Sequence, residues 1–232
     1  MVLDIERGPG GDVGVPAGAD RLGIPGEMKL CRVDATFGRS AKRGRRSMSD
    51  SRYDEASQQG SDWKEFTRPD RISEQVDRLF TERLPKVPAD WKTPAGDPVS
   101  PMPEADRYSD DMALEWIPDV FGYFLPNEDA LVDSDDPLMV DQWVCYIANY
   151  FTSQCGGRLV NIPRVADGAL YSFGPAVVYD WSPEQADFPV DLLYRAVEEG
   201  DFTIVTDEWY DRETEFARVH GLPHAGVDLT NG

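Results

Sequence analysis

Apolar residues recur at helical spacing in several stretches of the chain. Ile72, Val76, Leu79, Phe80 and Leu84 form one stripe, and Thr67, Pro69 and Asp70 before them predict a helix start with Thr67 as its cap. Glu74 and Arg78 make an i,i+4 pair on the wet side, and Pro85 ends the helix. Residues 85–103 hold six prolines and read as an extended connector. Ser109-Asp110-Asp111 then caps a helix with buried face Leu114, Ile117, Phe121 and Phe124, which Pro118 should kink or split. Residues 126–136 read as an acidic loop. Asp136-Pro137 starts a helix to about residue 155, with stripe Val140, Val144, Ile147, Ala148 and Phe151, ended by Gly156-Gly157. This is the most hydrophobic element and is expected at the centre of the core.

Alternation takes over after the glycine pair. Asp167-Gly168 between two apolar runs is a hairpin signal; a two-residue turn there sets Val165 opposite Leu170 and Ile162 opposite Phe173. Counting by two puts Val160, Ile162, Tyr171 and Phe173 on one face, expected to lie on the central helix. The strand breaks at Gly174-Pro175 and resumes from Ala176 to Tyr179. Ser182-Pro183-Glu184-Gln185 reads as a capping-box helix start, running past a break at Pro189 through Val190, Leu193, Tyr194 and Val197 to Gly200. Phe202 to Val205 reads as a short strand, and Thr206-Asp207-Glu208 opens a last helix carrying Trp209, Phe216 and His220.

These elements predict an α+β fold: helices packed on a small, mainly antiparallel sheet, over residues 107–232, behind a disordered N-terminal tail. The expected organisation is a disordered tail over 1–66, an amphipathic helix over 67–84, a Pro-rich connector over 85–106 and the α+β domain over 107–232. Residues 1–47 carry nine basic and six acidic side chains, with a basic cluster at Lys42, Arg43, Arg45 and Arg46. This stretch reads as a solvated tail, as upstream sequence before a start at Met48, or as a partner for acidic surfaces.

Charge changes the picture for the rest. From residue 93 to the end there are 27 acidic residues, six arginines and no lysine, a net charge of −21. That excess repels phosphates and anionic lipid, so neither nucleic acid nor a membrane surface is an expected partner. No apolar run approaches the roughly 18 residues that a spanning helix needs. The three cysteines, Cys31, Cys145 and Cys155, form no C-x-x-C pair, and the last two would lie about 15 Å apart on one helix. With no apolar leader, a reducing cytoplasmic setting is expected, and no disulfide framework.

Candidate chemistry is sparse. No G-x-S-x-G, P-loop or strand-linked G-x-G-x-x-G is present, so no cofactor is expected. Glu208, Asp211 and Glu215 fall at i, i+3, i+7 on one face of the last helix. Asp133, Asp135 and Asp136 cluster in the 126–136 loop without the order of a calcium loop. These six acids are expected to meet a basic protein partner; the alternative is a carboxylate-based metal-binding protein or enzyme. A thiol–imidazole pair of Cys145 with His220 or His224 is disfavoured, since Cys145 lies by the apolar stripe. Trp116, Trp143, Trp181 and Trp209 adjoin apolar stripes and read as packing residues.

The stretch "VDQWVCYIANYFTSQCGGRLVNIP" runs from long apolar helix through a glycine pair to a strand. Over roughly residues 107–180 this order resembles a module of uncharacterised bacterial proteins, some of them suspected toxin-immunity proteins. The resemblance implies a non-enzymatic binding protein and assigns no functional residue. The resulting expectation is a soluble acidic protein-binding module, an immunity-type antagonist of a basic partner being its specific form. A structural or accessory subunit is the third reading.

Overall fold

A computed structural model describes residues 55–132, 136–163 and 170–222. The order is α1 (Ser61–Phe66), α2 (Pro69–Arg78), α3 (Ile117–Phe124), α4 (Asp129–Val132), α5 (Pro137–Ser153), β1 (Arg158–Asn161), β2 (Pro175–Tyr179), β3 (Ser182–Asp187), α6 (Pro189–Glu199) and α7 (Thr203–His220). The three strands form an antiparallel sheet in the order β1-β2-β3. The α+β class read from the sequence is the fold observed. The tail over 1–54, Cys31, His224 and the Asp167-Gly168 turn with Val165 lie outside the described residues.

The α5 helix is the axis of the molecule. Val140 through Ala148 are all buried, so the helix is covered on every side rather than along one stripe. α2 lies along it, and α6, α7 and the sheet close the remaining faces. Aromatic rings fill the contacts: Trp209 of α7 stacks on Tyr150 at 4.3 Å, and Trp143 meets Phe121 edge-on at 5.4 Å. Trp116, Trp143 and Trp209 are buried in this core and Trp181 is half-buried.

The segment before α2 is not loose. Ser57–Gln59 form a 3-10 turn and α1 follows, burying Trp63 and Phe66 against Tyr171 and Phe173. The Thr67 hydroxyl donates to the Trp63 carbonyl, so it finishes α1 instead of capping α2. α2 continues as a wide π turn through Arg83. On its exposed face Arg78 pairs with Glu82 and Glu74 with Arg68, in place of a Glu74–Arg78 pair.

A second π turn, Asp110–Trp116, runs into α3 with Pro118 in the first turn of the new helix. Its i→i+5 bonds shift the phase of the side chains. Met112, Ala113 and Trp116 therefore face inward, while Leu114, expected on the buried stripe, is 47% exposed. The Ser109 hydroxyl bonds to the Asp106 carbonyl and caps nothing.

The sheet differs from expectation by one residue of register. Val160 pairs with Ala176 and Leu159 with Val177, and the Ile162 N–H donates to the Gly174 carbonyl. A one-residue slip reverses the faces. Tyr171 and Phe173 enter the main core, whereas Val160 joins Ala176 and Val178 in a separate apolar cluster with Ile162, Ala186 and Phe188. Residues 182–187, expected as a helix start, form β3, because the turn at Asp180-Trp181 returns the chain directly alongside β2. Pro189 then begins α6. The expected strand at 202–205 is the first turn of α7, with Phe202 and Val205 buried.

Candidate functional site

Two arginines on the helices gather the buried carboxylates. Arg71, in the first turns of α2, sends one amino group to Asp141 of α5 at 2.6 Å and the other to Cys145 Sγ at 3.5 Å. Tyr171 donates its phenol to the second Asp141 oxygen at 2.8 Å, and the guanidinium lies 4.9 Å from the Phe66 ring centre. Burial acts to lower the Arg71 pKa, but Asp141, with smaller contributions from Cys145 and Tyr171, more than offsets it, and the group stays charged. Burial and the neighbouring Asp141 push the Cys145 thiol and the Tyr171 phenol well above their ordinary ranges. A thiol held this way is a packing group, not a nucleophile.

Arg212 of α7 is the second centre. It grips Asp187, the last residue of β3, through two bonds of 2.6 and 3.0 Å. It also reaches Glu208 at 2.8 Å and Glu215 at 3.4 Å. Tyr179 donates to Asp187 at 2.6 Å, and Gln185 donates to Glu215 at 3.0 Å. Sheet and last helix are thus riveted by one cation and three anions. Burial, then Asp187, raises the Glu208 pKa above the usual carboxylate value.

The acids expected to meet a partner divide accordingly. Glu208 and Glu215 are ties to Arg212, so two of the three acids read as one binding face are internal ion-pair partners. Asp211 sits about 60° around the helix from Glu208, beyond the buried strip, and is exposed. Asp136 is ion-paired with Arg83 at the start of α5. Asp133 and Asp135 lie outside the described residues.

Spacing alone did not point to a second acidic helix, which the structure sets beside α7. Asp110, Asp111 and Glu115 are exposed on the π turn, and that turn packs against α7. Asp110 and Glu213 both bear on the Tyr150 phenol, which donates to Glu213 at 2.7 Å. Burial and these two carboxylates raise its pKa. The acidic turn and the last helix therefore lie side by side. Among the described residues no cation forms an ion pair with Asp110, Asp111, Glu115, Asp207 or Asp211. The signal was present in the Ser-Asp-Asp start, whose acids read only as capping.

Among the described residues, no group of three or more His, Cys, Asp or Glu side chains is placed to hold a metal ion. None of the described helices is long and apolar enough to cross a membrane. Comparison with protein-family models, curated proteins and solved structures finds no match to this chain.

Proposed function

We propose that this chain is an acidic protein-binding module that occludes the basic surface of a partner, as an immunity-type antagonist would. The observation that carries the reading is charge left without compensation. From residue 93 onward 27 acids face six arginines. Of the five arginines described there, Arg107, Arg158, Arg212 and Arg218 are already engaged in ion pairs.

The exposed acids on the Asp110–Trp116 turn and on α7 stand on helices whose inner faces are locked into the core. Their negative field is preorganised, so a partner rich in Lys and Arg would be steered in and held by complementarity. Occlusion needs no bond made or broken. The reducing cytoplasm is the proposed setting, and the buried free thiols Cys145 and Cys155 suit it.

The test measures association of the full chain with a panel of purified basic proteins by stopped flow, from about 50 to 300 mM salt. The expected rate constant falls steeply as salt rises, and it drops at least about tenfold in a D110K/D111K/E115K/D211K variant. Rates indifferent to both salt and charge reversal remove the reading.

A further inference from the structure

The prolines of the connector have a use that the acidic face does not explain. Within 98–103 (Pro-Val-Ser-Pro-Met-Pro), Pro98, Pro101 and Pro103 have φ set by their rings. Ser100 and Met102 each precede a proline and are held to extended or polyproline-II backbone by its Cδ. Only Val99 escapes both restrictions, and its N–H is bonded to the Trp91 carbonyl at 3.1 Å. Along 98–103 the half-buried positions are Val99, Met102 and Pro103, and the first two stand three apart, the repeat of a helix with three residues per turn. Val99 and Met102 turn inward and pack on the core, while Pro98 and Pro101 stand exposed. The Trp116 indole N–H donates to the Ser100 carbonyl at 2.8 Å, a second pin beneath the segment. A short proline segment in solution samples many conformers; this one is fastened at Val99 and Ser100 with its outer face bare.

We infer that residues 98–103 form a preorganised polyproline-II ligand, presenting Pro98-x-x-Pro101 to the aromatic-lined groove of a proline-recognition domain. In this conformation prolines three apart fall on one face with a rise of about 9 Å between them, the repeat that such grooves read. Pinning removes most of the ordering cost that a free proline peptide bears on binding. Asp97, Glu104 and Asp106 are exposed at the two ends, so the matching groove carries basic residues at its rim. This surface is separate from the acidic face of the proposed function, because changing its prolines alters no charge.

The experiment titrates the full chain against purified SH3 and WW domains whose grooves are bordered by Lys or Arg. The expected result is at least one complex with a Kd in the micromolar range, weakened at least about tenfold by P98A/P101A and unchanged by P126A, a proline exposed elsewhere. The indole N–H resonance of Trp116, which donates to the Ser100 carbonyl, verifies that the segment stays docked in each variant. P101A alone leaves the antiparallel Lys92–Pro98 bridge untouched and is expected to weaken binding in the same direction. No complex tighter than about 1 mM, or a Kd indifferent to both proline variants, overturns the inference.

Discussion

Arg71 and Asp141 are 70 residues apart in the chain and 2.6 Å apart in the fold, joined in a nearly water-free contact between α2 and α5. The pair fixes where the helix before the connector sits on the central helix. Asp141 is one of only a few buried polar residues on α5, and both of its oxygens are bonded.

Removing one partner therefore leaves an unpaired buried charge. D141N and R71M are each expected to destabilise the chain by about 3–5 kcal/mol. The double variant should recover part of that loss. Urea unfolding followed by tryptophan fluorescence measures it, and additive losses would contradict the pairing.

Glu208 gives a pH dependence of defined sign. Its folded pKa lies above the unfolded value, so the folded state binds the extra proton in the window between the two. The group costs stability above its folded pKa, and that cost fades as pH falls toward the unfolded value. The wild type is expected to gain stability relative to E208Q between neutral pH and about pH 4.5. Thermal midpoints of both proteins across that range are the measurement, and parallel curves would contradict the shift.

Gly157, just past the end of α5, lies tight against β2 side chains. A Cβ there would lie 2.3 Å from Val177 Cγ1 and 3.0 Å from the Phe151 carbonyl oxygen. G157A is expected to cost about 1–3 kcal/mol through overpacking. A neutral result in chemical denaturation would show that the strand can move away.

The thiols Cys145 and Cys155 are expected to resist a thiol reagent in the native protein and to react once guanidinium unfolds it. Burial raises both pKa values, that of Cys155 to about 12. Peptide mapping after brief labelling distinguishes them from Cys31, and rapid native labelling of Cys145 would contradict its enclosure.

What was legible in the sequence follows the range of the forces involved. Proline and glycine punctuation, together with the run from Val140 to Phe151, determined by themselves that a central helix starts at Pro137 and stops shortly before the glycine pair; read to about residue 155, it ends at Ser153. They also determined that Pro118 divides one helix from the next. Charge counting likewise identified the acid excess, because it needs no geometry.

Tertiary structure decided the rest, since those outcomes depend on which distant groups arrive. Residues 182–187 have the local signature of a capped helix, yet β2 offers a row of unpaired backbone groups, and pairing with it prevails. Thr203, Ile204 and Val205 are β-branched but helical, and tertiary burial of Phe202 and Val205 in the core overrides the local preference. Glu208 and Glu215 could be read as a binding face until Arg212 and Asp187 were brought between helix and sheet. A local code sets where elements start and stop. Whether a charge meets water, a partner or an internal counter-ion is set by contacts between residues far apart in the chain, and spacing within one helix carries no record of them.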